Sequence, residues 1–144
     1  MILLADTNVF IKYWRALARS QKDEAAVKEL ETYKQIMSIH EIVICGVVRA
    51  ELLNGATSEK NYQQIDGALS KVPSKELARD DWSELGHQLY QYRTNGFTVP
   101  FTDAAIASIA MKYDIPVWAN DKHFDMMKSV IPSLKVYRTE NLLT

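Results

Sequence analysis

Cysteine is almost missing from this chain: Cys45 is the only one in 144 residues. A lone thiol excludes an internal disulfide and fits a reducing compartment. No apolar run approaches the roughly 18–20 residues of a membrane span. The N-terminus lacks a basic stretch, and Asp6 interrupts its apolar run, so it does not read as a secretory signal. Together these absences predict a cytoplasmic protein that does not enter a membrane. Positive charge is not in excess either: 17 Lys and Arg stand against 18 Asp and Glu, for a net charge of −1. A module that held nucleic acid mainly by counterion release would be basic. An enzyme that grips phosphates through bound cations is not excluded, because the ions reverse the local field. Repeats, low-complexity tracts and linkers are also absent. The hydrophobic share of 47% is enough for a substantial core, which predicts one domain across residues 1–144.

The organising stretch is the start. Met1-Ile2-Leu3-Leu4-Ala5 is an apolar run that ends on Asp6, the pattern of a strand buried on both faces with a carboxylate at its C-terminal end. Helices are expected from Asn8 to Leu17, capped by Thr7 or Asn8, and from Lys22 to Met37, where Ala26, Leu30, Tyr33 and Met37 recur every three or four residues. Ile42 to Cys45 reads as a strand, and Val47 to Gly55 and Glu59 to Ser70 read as helices. Asp80-Asp81 opens a helix to Thr94 with Trp82, Leu85, Leu89 and Tyr92 on one stripe, stopped by Asn95-Gly96. Phe97 to Phe101 is an extended link, and Thr102 to Tyr113 is an apolar helix. Strand 115–119, helix 122–130 and strand 134–137 follow. Short apolar strands alternate with helices and no hairpin turn joins them. This predicts an α/β fold: a short parallel sheet of four to five strands with helices on both faces. Ligands of such folds sit beyond the C-terminal strand ends.

Four acids stand apart from the solvated ones. Asp6 and Asp121 end strands. Glu51 shares its helical face with Val47 and Val48, one turn earlier, and has no local basic partner on that face. Asp103 opens an apolar helix after Thr102. Capping accounts for Asp6, Asp103 and Asp121 one at a time. In a parallel sheet, however, all four can face one edge, and four converging carboxylates repel each other without a cation. An all-oxygen donor set selects a hard ion, Mg²⁺ or Mn²⁺.

The blocks Leu4-Ala5-Asp6-Thr7-Asn8, Ala50-Glu51-Leu52, Thr102-Asp103-Ala104-Ala105-Ile106-Ala107 and Ala119-Asn120-Asp121-Lys122-His123-Phe124 resemble, in order and spacing, those of PIN-domain ribonucleases, and among them the VapC toxins of bacterial toxin–antitoxin pairs. The resemblance spans essentially the whole chain. It implies a Mg²⁺- or Mn²⁺-dependent endoribonuclease whose catalytic, metal-holding residues are Asp6, Glu51, Asp103 and Asp121. Asn8, Thr102 and Asn120 would support them by hydrogen bonds, although Asn120 stands where the family often carries Thr or Ser. Asp125, four residues after Asp121, is a possible extra ligand and reads better as a solvated acid. Lys12, Arg15, Arg49, Lys122 and His123 lie near the expected site edge and are weak candidates for contacting RNA phosphates. Each reads better as solubilising surface charge, and His123 is not expected to be catalytic.

The resemblance also implies a VapB-type antitoxin partner and a homodimer. A groove left by the helices of residues 8–38 and 47–70, near Tyr13 and Trp14, would suit an amphipathic antitoxin segment. Two other readings compete. One is a catalytically idle PIN-like module in RNA processing, without metal. The other is a flavodoxin-like phosphate binder, which is disfavoured because no Gly-rich loop follows the first strand.

Overall fold

β1 (Ile2–Ala5) is the interior of the architecture, and its residues Leu3, Leu4 and Ala5 are fully buried. The computed structural model describes residues 1–143. After β1 come α1 (Thr7–Arg19), α2 (Glu24–Ile39), β2 (Glu41–Val43), α3 (Gly46–Asn54), α4 (Glu59–Leu69), α5 (Asp81–Thr94), α6 (Phe101–Lys112), β3 (Val117–Trp118), α7 (Lys122–Val130) and β4 (Val136–Tyr137), with a final 3₁₀ turn at Thr139–Leu143. The sheet is wholly parallel in the order β2-β1-β3-β4. β1 pairs Leu3 with Ile42 on one side and Leu4 with Val117 on the other, so neither edge nor face meets water. That is why its sequence is a continuous apolar run rather than an alternating one.

The order places a topological switch between β1 and β3. The chain leaves β1 toward β2 and leaves β3 toward β4, in opposite directions across the sheet. Right-handed crossovers then put the helices of the two halves on opposite faces and open a crevice beyond the ends of β1 and β3. Behind it, α6 is buried on all sides from Ala104 to Ala110, as its near-continuous apolar sequence requires. Trp118 fills the centre of the sheet, fully buried, with its ring 5.7 Å from that of Tyr33.

Several boundaries differ from the sequence-based expectation, each for a local reason. β2 stops at Val43, because Ile44 already turns away to make a single bridge with Ser74. β3 and β4 hold two residues each, shorter than expected. Helix α6 starts at Phe101 behind Pro100, so Thr102 lies inside the first turn and is not its cap. On α5, Trp82 is 49% exposed and Gln88 takes a buried place beside Leu85 and Tyr92. Gly96 stops α5 with φ at 86°, the left-handed conformation that favours glycine.

Candidate functional site

Asp6 follows β1 directly, and its backbone N–H donates to the Trp118 carbonyl at 3.0 Å, which pins it beside the end of β3. The residue is 3% exposed. It holds the cap position of α1, yet its carboxylate makes no capping hydrogen bond, so capping does not account for it. Among the described residues, no Lys or Arg forms an ion pair with Asp6, Glu51, Asp103 or Asp121. Burial, followed by the charge of Asp103, pushes the Asp6 carboxyl up to about 7; the Thr7 N–H opposes this, and the Glu51 and Asp121 charges add to it. The four acids therefore act on one another electrostatically across the crevice.

Asp103 is the third residue of α6, behind a Pro100 cap, so capping is not its role either. Burial raises its pKa, His123 opposes that rise, and the charges of Asp121 and Glu51 add to it. Asp121 does cap α7: its Oδ1 accepts the His123 backbone N–H at 2.8 Å. This cap turns His123 back toward the crevice. Its ring Nδ1 lies 3.0 Å from Asp103 Oδ2 and 3.2 Å from Asp121 Oδ1. Asp103, Asp121 and His123 each offer one donor atom, all within 4.8 Å of one another, a spacing that could hold a metal ion. Glu51 stands one turn beyond the buried Val48 on α3 and accepts a hydrogen bond from Thr7 Oγ1 at 2.7 Å.

The supporting residues fall in different places. Asn8 is exposed on the first turn of α1 and Thr102 is half-buried on α6. Asn120 is turned toward the end of the chain: its side chain donates to Thr139 Oγ1 at 2.9 Å and accepts the Thr139 N–H at 3.0 Å, and its carbonyl accepts from Arg138 at 2.9 Å. Arg138 also pairs with Asp125, which is exposed. Lys12, Arg15 and Lys122 are exposed. The Arg49 guanidinium is committed to Asp66 on α4 and to Ser70 Oγ at 3.0 Å. Two contributions escape a sequence reading. Thr7 reads as a cap, and only the approach of α3, 44 residues away, gives its hydroxyl a partner. His123 reads as a surface residue, and the signal that could have found it is its place two residues after a capping Asp, where the cap fixes the ring's direction.

A groove of about 940 Å³ opens next to the crevice, between α1, α3 and α4. Ile11, Trp14, Leu17, Leu52 and Ile65 give it an apolar lining, and Glu51 stands at its edge.

The chain belongs to the PIN-domain family, whose model matches residues 3–129. No curated protein sequence matches it. Among solved structures it is similar to VapBC2 from Rickettsia felis bound to a DNA fragment from their promoter, with a TM-score of 0.68 and 20% identity over 96% of this chain and 98% of that one. VapBC-1 from nontypeable Haemophilus influenzae gives 0.70 and 19%, over 96% and 98%. VapBC-5 from Mycobacterium tuberculosis gives 0.63 and 20%, over 95% and 98%. At these identities the likeness is one of fold.

Proposed function

We propose that this PIN domain is a Mg²⁺- or Mn²⁺-dependent endoribonuclease, and that it is the toxin of a toxin–antitoxin pair. The observation that carries the reading is Asp6: a buried carboxylate with no cationic partner among the described residues, in a ring of acids that all push its pKa upward. Such a group is stable when ionised only if a cation meets it. Asp6, Glu51, Asp103 and Asp121 are the residues that would hold the ion. The donors suit a small divalent cation, because carboxylate oxygens dominate and cysteine is absent from the cluster. A divalent ion bound there would supply Lewis acidity toward phosphate oxygens and would lower the pKa of a water so that it can give up a proton and attack phosphorus.

The protein's own residues prepare the site. Thr7 holds the Glu51 carboxylate in one orientation through its 2.7 Å hydrogen bond. The Asp121 cap fixes the start of α7, and the Asp6 backbone bond to Trp118 keeps the ends of β1 and β3 together. No side chain has to serve as nucleophile, which suits a crevice built from acids. We assign substrate grip to cations that stay exposed, Lys12, Arg15 and Lys122.

The toxin assignment rests on the resemblance to complexes of toxins with antitoxins and on the apolar groove, which has the character of a seat for an amphipathic partner helix. A second copy of this chain completes the proposed assembly. The test is cleavage of RNA by the purified chain with Mn²⁺, alongside growth arrest on expression. Asp6→Asn and Glu51→Gln should each abolish both while the circular dichroism spectrum is kept. Undiminished cleavage by the folded double variant would overturn the proposal, and failure of the wild type to bind Mn²⁺ in calorimetry would favour a non-catalytic PIN module.

A further inference from the structure

We propose that His123 is a nitrogen ligand of the ion in this crevice, and that it biases the site toward Mn²⁺ over Mg²⁺; this rests on the reading of the site as a divalent-metal centre. The imidazole is the non-carboxylate member of the donor cluster, and it stands between two of the acids. Neighbouring donors of a six-coordinate ion with bonds near 2.1 Å are about 3 Å apart. His123 Nδ1 keeps 3.0 Å to Asp103 Oδ2 and 3.2 Å to Asp121 Oδ1. The start of α7, from which the ring projects, is fixed by the His123 backbone N–H, which Asp121 caps at 2.8 Å. The same Asp121 Oδ1 therefore meets both the backbone N–H and the ring Nδ1 of His123. A neutral imidazole protonated at Nε2 leaves the Nδ1 lone pair free for a metal.

The consequence is a choice between ions. Mg²⁺ prefers oxygen donors and is held by carboxylates, phosphates and water. Mn²⁺ stands lowest in the first-row affinity order and shares the oxygen donors of Mg²⁺, but as a transition ion it takes an imidazole nitrogen at a smaller penalty than Mg²⁺ does. Replacing one oxygen or water position by His123 Nδ1 therefore favours Mn²⁺ relative to Mg²⁺.

The test uses the full chain and Mn²⁺ alone, without RNA. The sequence holds three histidines, so a histidine signal can be assigned by substitution. Pulsed electron paramagnetic resonance on the Mn²⁺ complex should show a nitrogen coupling that changes when histidine is labelled with ¹⁵N. The coupling should vanish in His123→Gln and persist in His87→Gln, where the replaced residue lies exposed on α5. In calorimetry, His123→Gln should weaken Mn²⁺ roughly tenfold or more, while Mg²⁺ weakens by less than about threefold, so the preference for Mn²⁺ shrinks. Mn²⁺ bound to the wild type without any histidine coupling would overturn the inference and leave His123 a hydrogen-bond partner of the acids, with the metal-centre reading intact. Equal losses for both ions would overturn the selectivity. Absence of Mn²⁺ binding in the wild type would remove both the inference and the reading beneath it. If His123→Gln fails to fold, a coupling that persists in both His40→Gln and His87→Gln is assigned to His123, and its loss in either would overturn the assignment.

Discussion

The acid crevice and the apolar groove share Glu51 and differ in almost everything else. The crevice gathers like charges at the ends of β1 and β3, in a place where burial already disfavours ionisation. The groove leaves apolar side chains facing water, with Leu17 46% exposed on its wall. Each is unfavourable in the isolated chain, one through electrostatic repulsion and the other through apolar hydration. On the proposed function each would be relieved by an occupant of the opposite kind, a cation in the first and an apolar segment in the second. The fold can carry both because its stability comes from elsewhere, from β1, Trp118 and the buried length of α6.

Separating the two regions by mutation tests this contrast. The largest effect is expected in the crevice: Asp6→Asn combined with Asp103→Asn should lower RNA cleavage by on the order of a thousandfold or more, since it removes two oxygens from the cation's shell. The same crevice predicts an opposite sign for stability when metal is withheld. Burial and the neighbouring acids push the Asp6 carboxyl from its ordinary 3.8 up to about 7, so the folded chain holds its proton over a window in which the unfolded chain has lost it. That contribution to stability is present at low pH and is lost as pH rises through about 7. Asp6→Asn should therefore stabilise the metal-free protein, by on the order of 3–4 kcal/mol at pH 8 and by almost nothing near pH 4. Thermal unfolding in a chelator at several pH values measures it, and no difference between pH 5 and pH 8 would refute it.

The groove should respond independently. Leu17→Glu, on an exposed position of its wall, should weaken a bound partner helix about a hundredfold without altering cleavage by the partner-free chain. Loss of both properties would show that the two regions are not separable. Thr7→Val keeps the shape and removes the hydroxyl that holds Glu51; it should reduce Mn²⁺ affinity roughly tenfold in calorimetry. The smallest effect belongs to Arg49→Gln. Its ion pair with Asp66 is more than a third exposed on both sides, so the loss in stability should stay below about 1 kcal/mol in denaturant titration.

The parts of this molecule that read directly from the sequence are those set by local pattern. The run before Asp6 could only be a doubly buried strand, and the parallel sheet followed from strands without hairpins. The position of Glu51 on the valine face of its helix was likewise a matter of spacing. What did not read were features decided by a distant partner. Thr7 had an equally good use as a cap, and only the arrival of α3 gives its hydroxyl Glu51. Arg49 stood near the expected rim, but Asp66, 17 residues on, captures it. Trp82 fitted the apolar stripe of α5 by spacing, yet at the first turn it stays about half exposed and Gln88 goes inside instead. Asp103 looked like a cap because Thr-Asp is a good helix start; Pro100 moved that start forward and left the carboxylate for the crevice.

The ties between Asn120 and the residues after β4 bear on the order in which a growing chain becomes complete. Asp6 emerges early and has its strand from the first residues onward. The loop that presents Asp121 is fastened by Arg138 and Thr139, made 18 and 19 residues after Asn120. A chain interrupted just before Arg138 would carry all four acids and still lack the clasp on that loop. On the ribosome, the crevice is therefore finished only after β4 and the residues behind it have emerged.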